Sequence, residues 1–289
     1  MVQITSRIEE HRFHMPELSM RTRVLEAGRG PVVLMLHGHP DNADEWRPLI
    51  DRLAATHRCI APDFPGYGQS PEPGSGFDYS LAVQKRFVDS LLEHLGVNEP
   101  LTLVVHDTGG MVGTAWAAAH PERVQGLVFT NTVAFENFRW FAIARRWGRR
   151  DWVGRLRASL GMKALGLKRG ALFRKVFAAQ SPQLDAEQLD RFVTSFALNP
   201  HALRTTLRHF RQFVDPTFFT GFEAMRRRLV ETRPVRVLWG DRDPYLPTEL
   251  SRRFFSAPVR LLPDAGHWVP LVAPDALAEE VRLLSAGAP

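Results

Sequence analysis

An apolar run passes directly into a helical pattern at Val104-Val105-His106-Asp107-Thr108-Gly109-Gly110. A sharp strand-to-helix turn needs small residues beside its apex, because the two elements approach each other closely there. Asp107 occupies the apex. Gly109, Gly110 and Gly113 follow it at the beginning of an alanine-rich helical pattern. A helix N-terminus keeps a carboxylate ionised, and an ionised carboxylate can attack an electrophilic carbon. The segment predicts a turn that exposes Asp107, with simple helix capping as the alternative interpretation.

Other short apolar runs are typical of strands that are buried on both faces. They are Val32–Leu36, Cys59–Ala61, Leu101–Val105, Leu127–Phe129, Val235–Trp239 and Val259–Leu262. Helical patterns lie between several of these runs, at Trp46–Ala55, Leu81–Leu95 and Gly110–Ala119. The alternation predicts an α/β fold with a doubly wound, mostly parallel sheet.

The alternation of strand and helix stops after Asn131 and resumes at Val235. The intervening patterns are helical, at Asp185–Ala197 with Asp185 as a candidate N-cap, and at His201–Phe213. We therefore expect an α/β core over residues 1–132 and 231–289. A helical cap over residues 133–230 would interrupt that core.

The composition is that of a globular protein without membrane spans. Of 289 residues, 44% are apolar and 24% are charged, and no apolar run approaches the length that a membrane span requires. The polar segment Met1–Glu10 has no apolar signal region, so we expect a cytoplasmic protein without a transmembrane segment. The single cysteine, Cys59, excludes an internal disulfide and a cysteine-rich metal site.

Positive charge is concentrated in one part of the chain. Arg139–Lys175 contains twelve Lys or Arg residues and the single acidic residue Asp151. Such a patch could attract an anionic substrate, a membrane surface or nucleic acid. No recognised nucleic-acid motif accompanies it, so a solvated helical face is the simplest interpretation and no nucleic-acid partner is expected.

Two further polar residues follow predicted strands near the end of the chain. Asp243 lies in the loop Gly240–Pro244, and His267 lies in the loop Asp264–Trp268. The carboxyl ends of parallel strands meet at one edge of the sheet, where such folds place their active sites. The chain order Asp107, Asp243, His267 is the order of nucleophile, acid and histidine that this architecture uses.

A set of ordered motifs resembles the α/β-hydrolase fold, and within it the branch of haloalkane dehalogenases and epoxide hydrolases. The motifs are His37–Pro40, Pro62–Ser70, the turn at Asp107, Gly240–Asp243 and Gly266-His267. The resemblance covers nearly all of the predicted core. It implies an α/β-hydrolase fold with a helical cap inserted after the sixth core strand.

The resemblance also implies a mechanism. Asp107 would attack an electrophilic carbon and form an alkyl-enzyme ester. His267, oriented by Asp243, would activate a water that hydrolyses this ester. The backbone N–H groups of His39 and Thr108 would form the oxyanion hole. The spacing from Gly240 matches the family at Asp243 rather than at Asp241, and the chemistry requires no cofactor and no metal.

The resemblance implies cleavage of a carbon–halogen bond in a small apolar organic substrate, with an epoxide hydrolase as the alternative. Haloalkane dehalogenases usually carry Trp after the nucleophile and Asn after His-Gly, where this chain has Thr108 and His39. Epoxide hydrolases usually carry two cap tyrosines. The three tyrosines of this chain are Tyr67, Tyr79 and Tyr245, all outside the predicted cap.

Other classes of function stay open at this point. A biosynthetic enzyme could use the same three residues for acid-base chemistry, and a non-catalytic protein of this fold could bind a small molecule. Haloacetate dehalogenases carry arginines after the nucleophile, which Thr108, Met111 and Thr114 do not provide. The segment His37–Asn42 lacks one histidine of a dinuclear metallohydrolase signature. No Gly-x-Ser-x-Gly motif of a serine hydrolase occurs.

Aromatic side chains are expected to form the walls of the substrate pocket, because such pockets are mostly apolar. The candidates are Trp46, Phe135, Phe138, Trp140 and Trp268.

Overall fold

An eight-stranded sheet forms the centre of the protein, in a computed structural model that describes residues 7–74 and 77–286. Residues 1–6 of the segment that predicted no secretory signal lie outside this part of the chain. The strands are β1 (Glu9–Met15), β2 (Met20–Ala27), β3 (Val32–Leu36), β4 (Arg58–Pro62), β5 (Leu101–Asp107), β6 (Val124–Thr132), β7 (Val235–Gly240) and β8 (Val259–Leu262).

The order of strands across the sheet is β1-β2-β4-β3-β5-β6-β7-β8. Neighbouring strands pair in parallel from β4 to β8, which places the ends of β3, β5, β6, β7 and β8 at one edge. All six predicted strands are present, so the predicted doubly wound, mostly parallel sheet is confirmed.

Two strands were not predicted from the sequence. β1 pairs antiparallel with β2, and β2 pairs antiparallel with β4. β1 is the edge strand and begins with charged or polar residues, Glu9 to Arg12, most of which face solvent. Charged side chains on an edge strand block pairing with other chains, and they also remove the apolar pattern that predicts a strand.

Eleven α-helices accompany the sheet in the described part of the chain. They are α1 (Arg47–Leu53), α2 (Leu81–His94), α3 (Gly109–Ala119), α4 (Ala142–Trp147), α5 (Trp152–Leu165), α6 (Leu167–Gln180), α7 (Ala186–Phe192), α8 (Pro200–Phe213), α9 (Phe222–Thr232), α10 (Val269–Val272) and α11 (Pro274–Ala286). Short 3-10 turns lie at Pro16–Leu18, Ala43–Trp46, Pro121–Arg123, Pro216–Phe219 and Thr248–Arg253, and a π-helical turn at Val193–Ala197.

The helices α4 to α9, called the inserted helices below, all lie between β6 and β7. The predicted N-cap of α7 is observed: the Asp185 carboxylate accepts the Gln188 N–H, and the Gln188 side chain accepts the Asp185 N–H in return. α8 begins at Pro200, and Asn199 caps it by accepting two backbone N–H groups. The boundaries of a separate cap over residues 133–230 stay a prediction.

The sheet is covered on both faces. Along β3, Val32, Leu34 and Leu36 pack into one apolar cluster, whereas Val33 and Met35 pack into the other. Successive side chains of a strand point to opposite faces, so a strand buried on both faces must be continuously apolar. Among the described residues, no helix is both long and apolar enough to cross a membrane.

Two glycines allow β3 and α3 to approach the end of β5. A Cβ atom added at Gly109 would lie 2.1 Å from the carbonyl oxygen of Leu36. A Cβ atom added at Gly38 would lie 2.4 Å from the Cβ atom of Asp107. Neither contact is possible without a shift of the backbone, so the absence of a side chain at both positions is a condition for this packing.

We predict that Gly109→Ala lowers the free energy of unfolding by about 1–3 kcal/mol, because the new methyl group meets a buried backbone carbonyl. The matched control is Gly161→Ala in α5, where an added Cβ would meet no atom within 4 Å. That change should leave stability unchanged or raise it by about 0.5–1 kcal/mol through helix propensity. Urea denaturation of both variants measures the difference, and equal stability of the two would contradict the packing argument.

Candidate active site

Asp107 lies at the apex of a sharp turn between β5 and α3. Its φ angle is 45°, in the left-handed region that side chains other than glycine rarely adopt. Its side chain lines a cavity, and its Oδ1 atom accepts a hydrogen bond of 2.8 Å from the backbone N–H of His39. Thr108 lines the same cavity beside it. The turn therefore presents a carboxylate to the cavity and holds one of its oxygens in place.

His267 approaches the other oxygen of this carboxylate. Its Nε2 atom lies 3.7 Å from Oδ2 of Asp107, and its Nδ1 atom lies 2.7 Å from Oδ2 of Asp243. Since a carboxylate accepts hydrogen bonds, the Nδ1 atom of His267 carries a hydrogen, and the imidazole can present a lone pair on Nε2 to Asp107 when that nitrogen has no proton. The structure thus brings together the three residues that the sequence placed after different strands.

Asp243 is held from several sides. Its Oδ1 atom accepts the backbone N–H groups of Tyr245 and Leu246, at 2.7 Å and 3.0 Å. Burial opposes ionisation, but the interaction with His267 and these hydrogen bonds keep the pKa of Asp243 below its ordinary value. Asp241, the rival candidate, is exposed and accepts a hydrogen bond from Thr248 instead. The geometry therefore favours Asp243 as the partner of His267.

Asn131 is a site residue that the sequence analysis missed. Its Nδ2 atom donates 2.7 Å to Oδ2 of Asp243, and its Oδ1 atom accepts the backbone N–H of Gly240 at 2.8 Å. Asn131 lies near the end of β6, the strand beside β7, with a φ angle of 31°. Asn131 could have been found from the sequence, because it is a polar residue near the end of an apolar strand. The same pattern led to the prediction of Asp107.

A buried ion pair lies behind the carboxylate. His106 and Glu45 are both fully buried, with Nδ1 of His106 2.6 Å from Oε1 of Glu45. The Nε2 atom of His106 donates to the carbonyl oxygen of His267. Both ring nitrogens thus face oxygen acceptors, which favours the doubly protonated form. Burial lowers the pKa of His106, but the charge and contact of Glu45 outweigh it and raise that pKa to about 9.

Two other histidines near the site are neutral. Burial lowers the pKa of His37 to about 4, and that of His39 to about 3. His37 donates from Nδ1 to the carbonyl of Gly38 and accepts the N–H of Phe64 at Nε2. The His39 ring is packed against aromatic edges that include Phe196 and Phe210. His39 therefore offers a backbone N–H and an uncharged ring to the cavity.

The cavity above Asp107 has a volume of about 400 Å³. The loops of the sheet contribute Asp107, Thr108, His39, Tyr245, His267 and Trp268. The inserted helices and the segment before them contribute mainly apolar walls, among them Trp140, Trp147, Phe173, Phe177, Phe196 and Phe210. A few polar groups at one end of an apolar cavity are typical of a small-molecule site.

Two of the five predicted pocket residues line this cavity, Trp140 and Trp268. Their indole N–H groups are already engaged: Trp140 donates to the carbonyl of Phe213 at 2.9 Å, and Trp268 donates to Oγ of Ser181 at 3.0 Å. Both side chains therefore shape the apolar wall, and both N–H groups have protein acceptors.

The prediction for the other three, Trp46, Phe135 and Phe138, does not hold for this cavity. Trp46 is fully buried in the cluster that also contains Leu49 and Val281 of α1 and α11. Phe135 is fully buried against Phe254 and the guanidinium group of Arg226. Phe138 packs edge-on against Trp140. Trp46 and Phe135 are core residues, Phe138 is half-buried, and none of the three lines the cavity.

An ion pair joins the inserted helices to the loop after β3. Arg191 of α7 contacts both carboxylate oxygens of Asp41, at 2.5 Å and 2.9 Å, and Asp41 is completely buried. A planar bidentate pair of this kind fixes orientation as well as distance. Asp41 lies two residues after His39, so this pair holds the loop that donates the N–H to Asp107.

The side chains of His37 and Asp41 are directed to separate partners in the fold. Asp41 binds Arg191, whereas His37 binds Phe64 and Gly38. The described residues contain no group of three or more His, Cys, Asp or Glu side chains placed to hold a metal ion. The geometry gives no support to the dinuclear metallohydrolase alternative.

The chain belongs to the α/β-hydrolase fold family, whose model matches residues 31–274, and to its haloalkane dehalogenase-like branch. It is 33% identical over 261 residues to a cis-3-alkyl-4-alkyloxetan-2-one decarboxylase of Xanthomonas campestris pv. campestris, covering 83% of each chain. It is 31% identical over 251 residues to a haloalkane dehalogenase of Mesorhizobium japonicum, covering 84% of this chain and 79% of the relative.

A solved structure shows the same fold over nearly the whole chain. It is a loop variant of a haloalkane dehalogenase from Bradyrhizobium elkanii, with a TM-score of 0.76, 23% identity and coverage of 97% of both chains. The family model and the curated relatives confirm the predicted family. Its curated relatives include both a decarboxylase and dehalogenases, so membership alone does not define the reaction.

We predict that the ion pair between His106 and Glu45 makes stability depend on pH in the alkaline range. The unfolded histidine has a pKa near 6.5 and the folded one near 9, so the folded state holds an extra proton between these values. The free energy of unfolding should therefore fall as pH rises through this interval, by at most about 1.4 kcal/mol per pH unit.

The variant Glu45→Gln should lose this slope, because the neutral amide no longer stabilises the imidazolium. The matched control is Glu280→Gln, which removes a buried carboxylate that is paired with arginines rather than with histidine. Urea denaturation across the interval measures the slope. An unchanged slope in Glu45→Gln would show that His106 is not the titrating group.

Proposed function

We propose that this protein is an enzyme that opens a strained cyclic ester of the oxetan-2-one class through attack by Asp107. The observation that carries the proposal is the environment of this carboxylate. It faces an apolar cavity, one of its oxygens is fixed by the His39 N–H, and the indole N–H groups of Trp140 and Trp268 are engaged by protein acceptors.

A halide leaving group needs hydrogen-bond donors, because an unpaired anion in an apolar cavity is strongly destabilised. A four-membered lactone also releases an anion, but opening the ring relieves strain, the charge of the carboxylate is delocalised, and the group leaves as neutral carbon dioxide in the next step. The first relative named above acts, by its name, on an oxetan-2-one that carries two alkyl groups. A largely apolar cavity of about 400 Å³ suits alkyl groups of this kind.

In the first step, a carboxylate oxygen of Asp107 attacks C4, the alkyl-bearing ring carbon that is bonded to the ring oxygen, and not the carbonyl carbon. The carbon–oxygen bond of the ring breaks, and its electron pair remains on the released carboxylate. The product is an ester between Asp107 and the opened substrate, with no proton gained or lost.

In the second step, the released carboxylate leaves as carbon dioxide. The bond between the carboxylate carbon and C3 breaks, and its electron pair forms a double bond between C3 and C4. The bond between the substrate and Asp107 breaks at the same time and regenerates the carboxylate. The products are an alkene and carbon dioxide, and neither water nor a cofactor is consumed.

The other predicted site residues have roles in this proposal. The N–H groups of His39 and Thr108 would stabilise charge on the carboxyl oxygen of Asp107, as an oxyanion hole does. Asp243 would fix the orientation of His267 through the 2.7 Å contact, with Asn131 holding Asp243. We also propose that residues 133–230 act as a cap, since the inserted helices supply most of the apolar cavity wall.

A second candidate function is hydrolytic cleavage of a carbon–halogen bond. It is favoured by the lone pair of His267 Nε2 near Asp107, which could activate water to hydrolyse the ester. It is also favoured by Trp147, which lines the cavity and whose indole N–H has no hydrogen-bond acceptor in the described part of the chain.

An epoxide hydrolase would use the same attack by Asp107 on carbon, with Tyr245 as a tyrosine that lines the cavity.

We predict that Asp107→Asn lowers turnover of a cis-3,4-dialkyl-oxetan-2-one by at least about a thousandfold, since an amide is not a competent nucleophile. The matched control is Asp241→Asn, an exposed carboxylate beside the site, which should retain activity within about twofold. Gas chromatography of the alkene measures the rate. Full activity of Asp107→Asn, with the amide verified by mass spectrometry, would refute the covalent mechanism.

We predict different outcomes of His267→Gln for the two candidate functions. Decarboxylation consumes no water, so alkene formation should persist in the variant. Its rate should fall only as far as the loss of the contact with His267 changes the position of Asp107. Hydrolysis requires the imidazole, so an ester should accumulate on Asp107 when the variant is incubated with a 1-bromoalkane. Intact-protein mass spectrometry and alkene analysis of the same samples distinguish them. A stable ester from the lactone without alkene would overturn the decarboxylation step.

A further inference from the structure

Exposed apolar side chains are concentrated in α4, α5 and α6. Of the eleven large apolar side chains that are markedly exposed in the described part of the chain, seven lie between residues 143 and 176. Trp152 is 76% exposed and Leu167 is 65% exposed. The full set is Ile143, Trp152, Leu156, Leu160, Leu167, Leu172 and Val176, and we call residues 143–176 the basic apolar surface.

The exposed side chains follow helical spacing. Trp152, Leu156 and Leu160 are four residues apart on α5, and Leu172 and Val176 are four apart on α6. Side chains spaced by four lie on one face of a helix. The opposite side of α5 buries Ala158 and Met162, so the helix is apolar on its inner side and presents a second apolar row to solvent.

Positive charge surrounds this row. Of the twelve Lys and Arg residues between Arg139 and Lys175, only Arg149, Arg150 and Arg174 form ion pairs in the described part of the chain. The other nine have no carboxylate within salt-bridge distance among the described residues. They are Arg139, Arg145, Arg146, Arg155, Arg157, Lys163, Lys168, Arg169 and Lys175.

The basic apolar surface is continuous with the cavity above Asp107. Ile143, Leu172 and Val176 are each exposed by 46% or more, and all three also line that cavity. The exposed apolar row therefore extends to the cavity wall.

We propose that the basic apolar surface docks onto a lipid bilayer with anionic headgroups. Helices that rest in a membrane interface combine Trp and Leu side chains with Lys and Arg, which suits the acyl boundary and the headgroup phosphates respectively. Arg155, Leu156 and Arg157 alternate in this way, as do Leu167 and the following Lys168. The surplus of unpaired positive charge is complementary to an anionic leaflet.

The composition of this surface favours a bilayer over the other macromolecules that positive charge could attract. Nucleic acid binds through phosphate contacts and stacking aromatics, and neither needs a row of exposed leucines. The central part of a protein interface is depleted in charged residues as a whole and in lysine, whereas arginine is enriched there. Here every exposed apolar side chain of α5 lies within four residues of an unpaired arginine or lysine.

Docking would place the cavity against the acyl region of the bilayer. If the proposed function holds, an alkyl-substituted substrate that partitions into the membrane would enter along Ile143, Leu172 and Val176 without crossing water. Docking itself rests only on the surface, so it is tested without substrate.

The test is cosedimentation of the full chain with vesicles of phosphatidylcholine, or of phosphatidylcholine with about 30% phosphatidylglycerol. Binding should be at least about tenfold stronger to the anionic vesicles at about 0.1 M NaCl, and most of it should be lost at about 1 M NaCl, where charges are screened. The triple variant Arg155→Gln, Arg157→Gln, Lys163→Gln should weaken binding by about tenfold or more.

The matched control is the triple variant Arg21→Gln, Arg29→Gln, Arg252→Gln, which removes the same charge from exposed arginines elsewhere. It should bind within about twofold of the unmodified chain. The pair Trp152→Ser and Leu156→Ser should weaken binding, whereas the pair Leu261→Ser and Leu283→Ser, on other exposed apolar positions, should not. Thermal denaturation verifies that all four variants are folded.

Several outcomes would overturn docking to a bilayer. These are no binding to either vesicle, equal loss of binding in both arginine variants, or stronger binding to a DNA duplex that needs the same arginines but not Trp152. Self-association in analytical ultracentrifugation that disappears in Trp152→Ser, Leu156→Ser would assign the surface to a second copy instead. Loss of enzymatic activity would not affect these results, so failure of the two proposals can be told apart.

Discussion

The bend of the backbone at Asp107 is the constraint on which the rest of the site depends. A φ angle of 45° turns the chain out of β5 and into α3, and it projects the carboxylate above the edge of the sheet. The bend fits because Gly38 and Gly109 have no side chains at the points where β3, β5 and α3 meet. The same close approach brings the His39 N–H to 2.8 Å from Oδ1. One geometric requirement thus positions both the carboxylate and the donor that faces it.

Two groups of charged or titratable side chains lie next to the Asp107 carboxylate. Asp243 and His267 lie on one side, and the pair of His106 and Glu45 lies beneath, where a charge without a partner would be unstable. His39, which lines the cavity beside His267, and the neighbouring His37 are neutral because burial lowers the pKa of each. The cavity therefore contains few competing charges, and in the proposed mechanism Asp107 is the group that reacts.

Sequence patterns predicted those features of the fold and the site that depend on the residue type at a few neighbouring positions. Continuous apolar runs predicted the buried parallel strands, and polar residues after strands predicted Asp107, Asp243 and His267 as neighbours. β1 was missed because its charged edge hides the strand pattern. Trp46 packs in the apolar cluster on the other face of the sheet, whereas Phe135 and Phe138 pack in the same cluster as Trp140 and Trp268 without lining the cavity. An aromatic residue in a sequence shows neither its face nor its neighbours. The pairing of Glu45 with His106, 61 positions apart, depends on how the 3-10 turn Ala43–Trp46 and β5 pack, which no local pattern encodes.

The bidentate contact between Arg191 and Asp41 also links the inserted helices to the loop that faces Asp107. Asp41 is two residues from His39, so α7 and the loop that faces Asp107 are fastened together by a rigid, directional link. Any tilt of α7 as the cavity fills would be transmitted to the N–H of His39 and would change its distance from Oδ1. If α7 shifts when the cavity fills, this ion pair provides a direct path from that helix to the N–H group that faces the carboxylate.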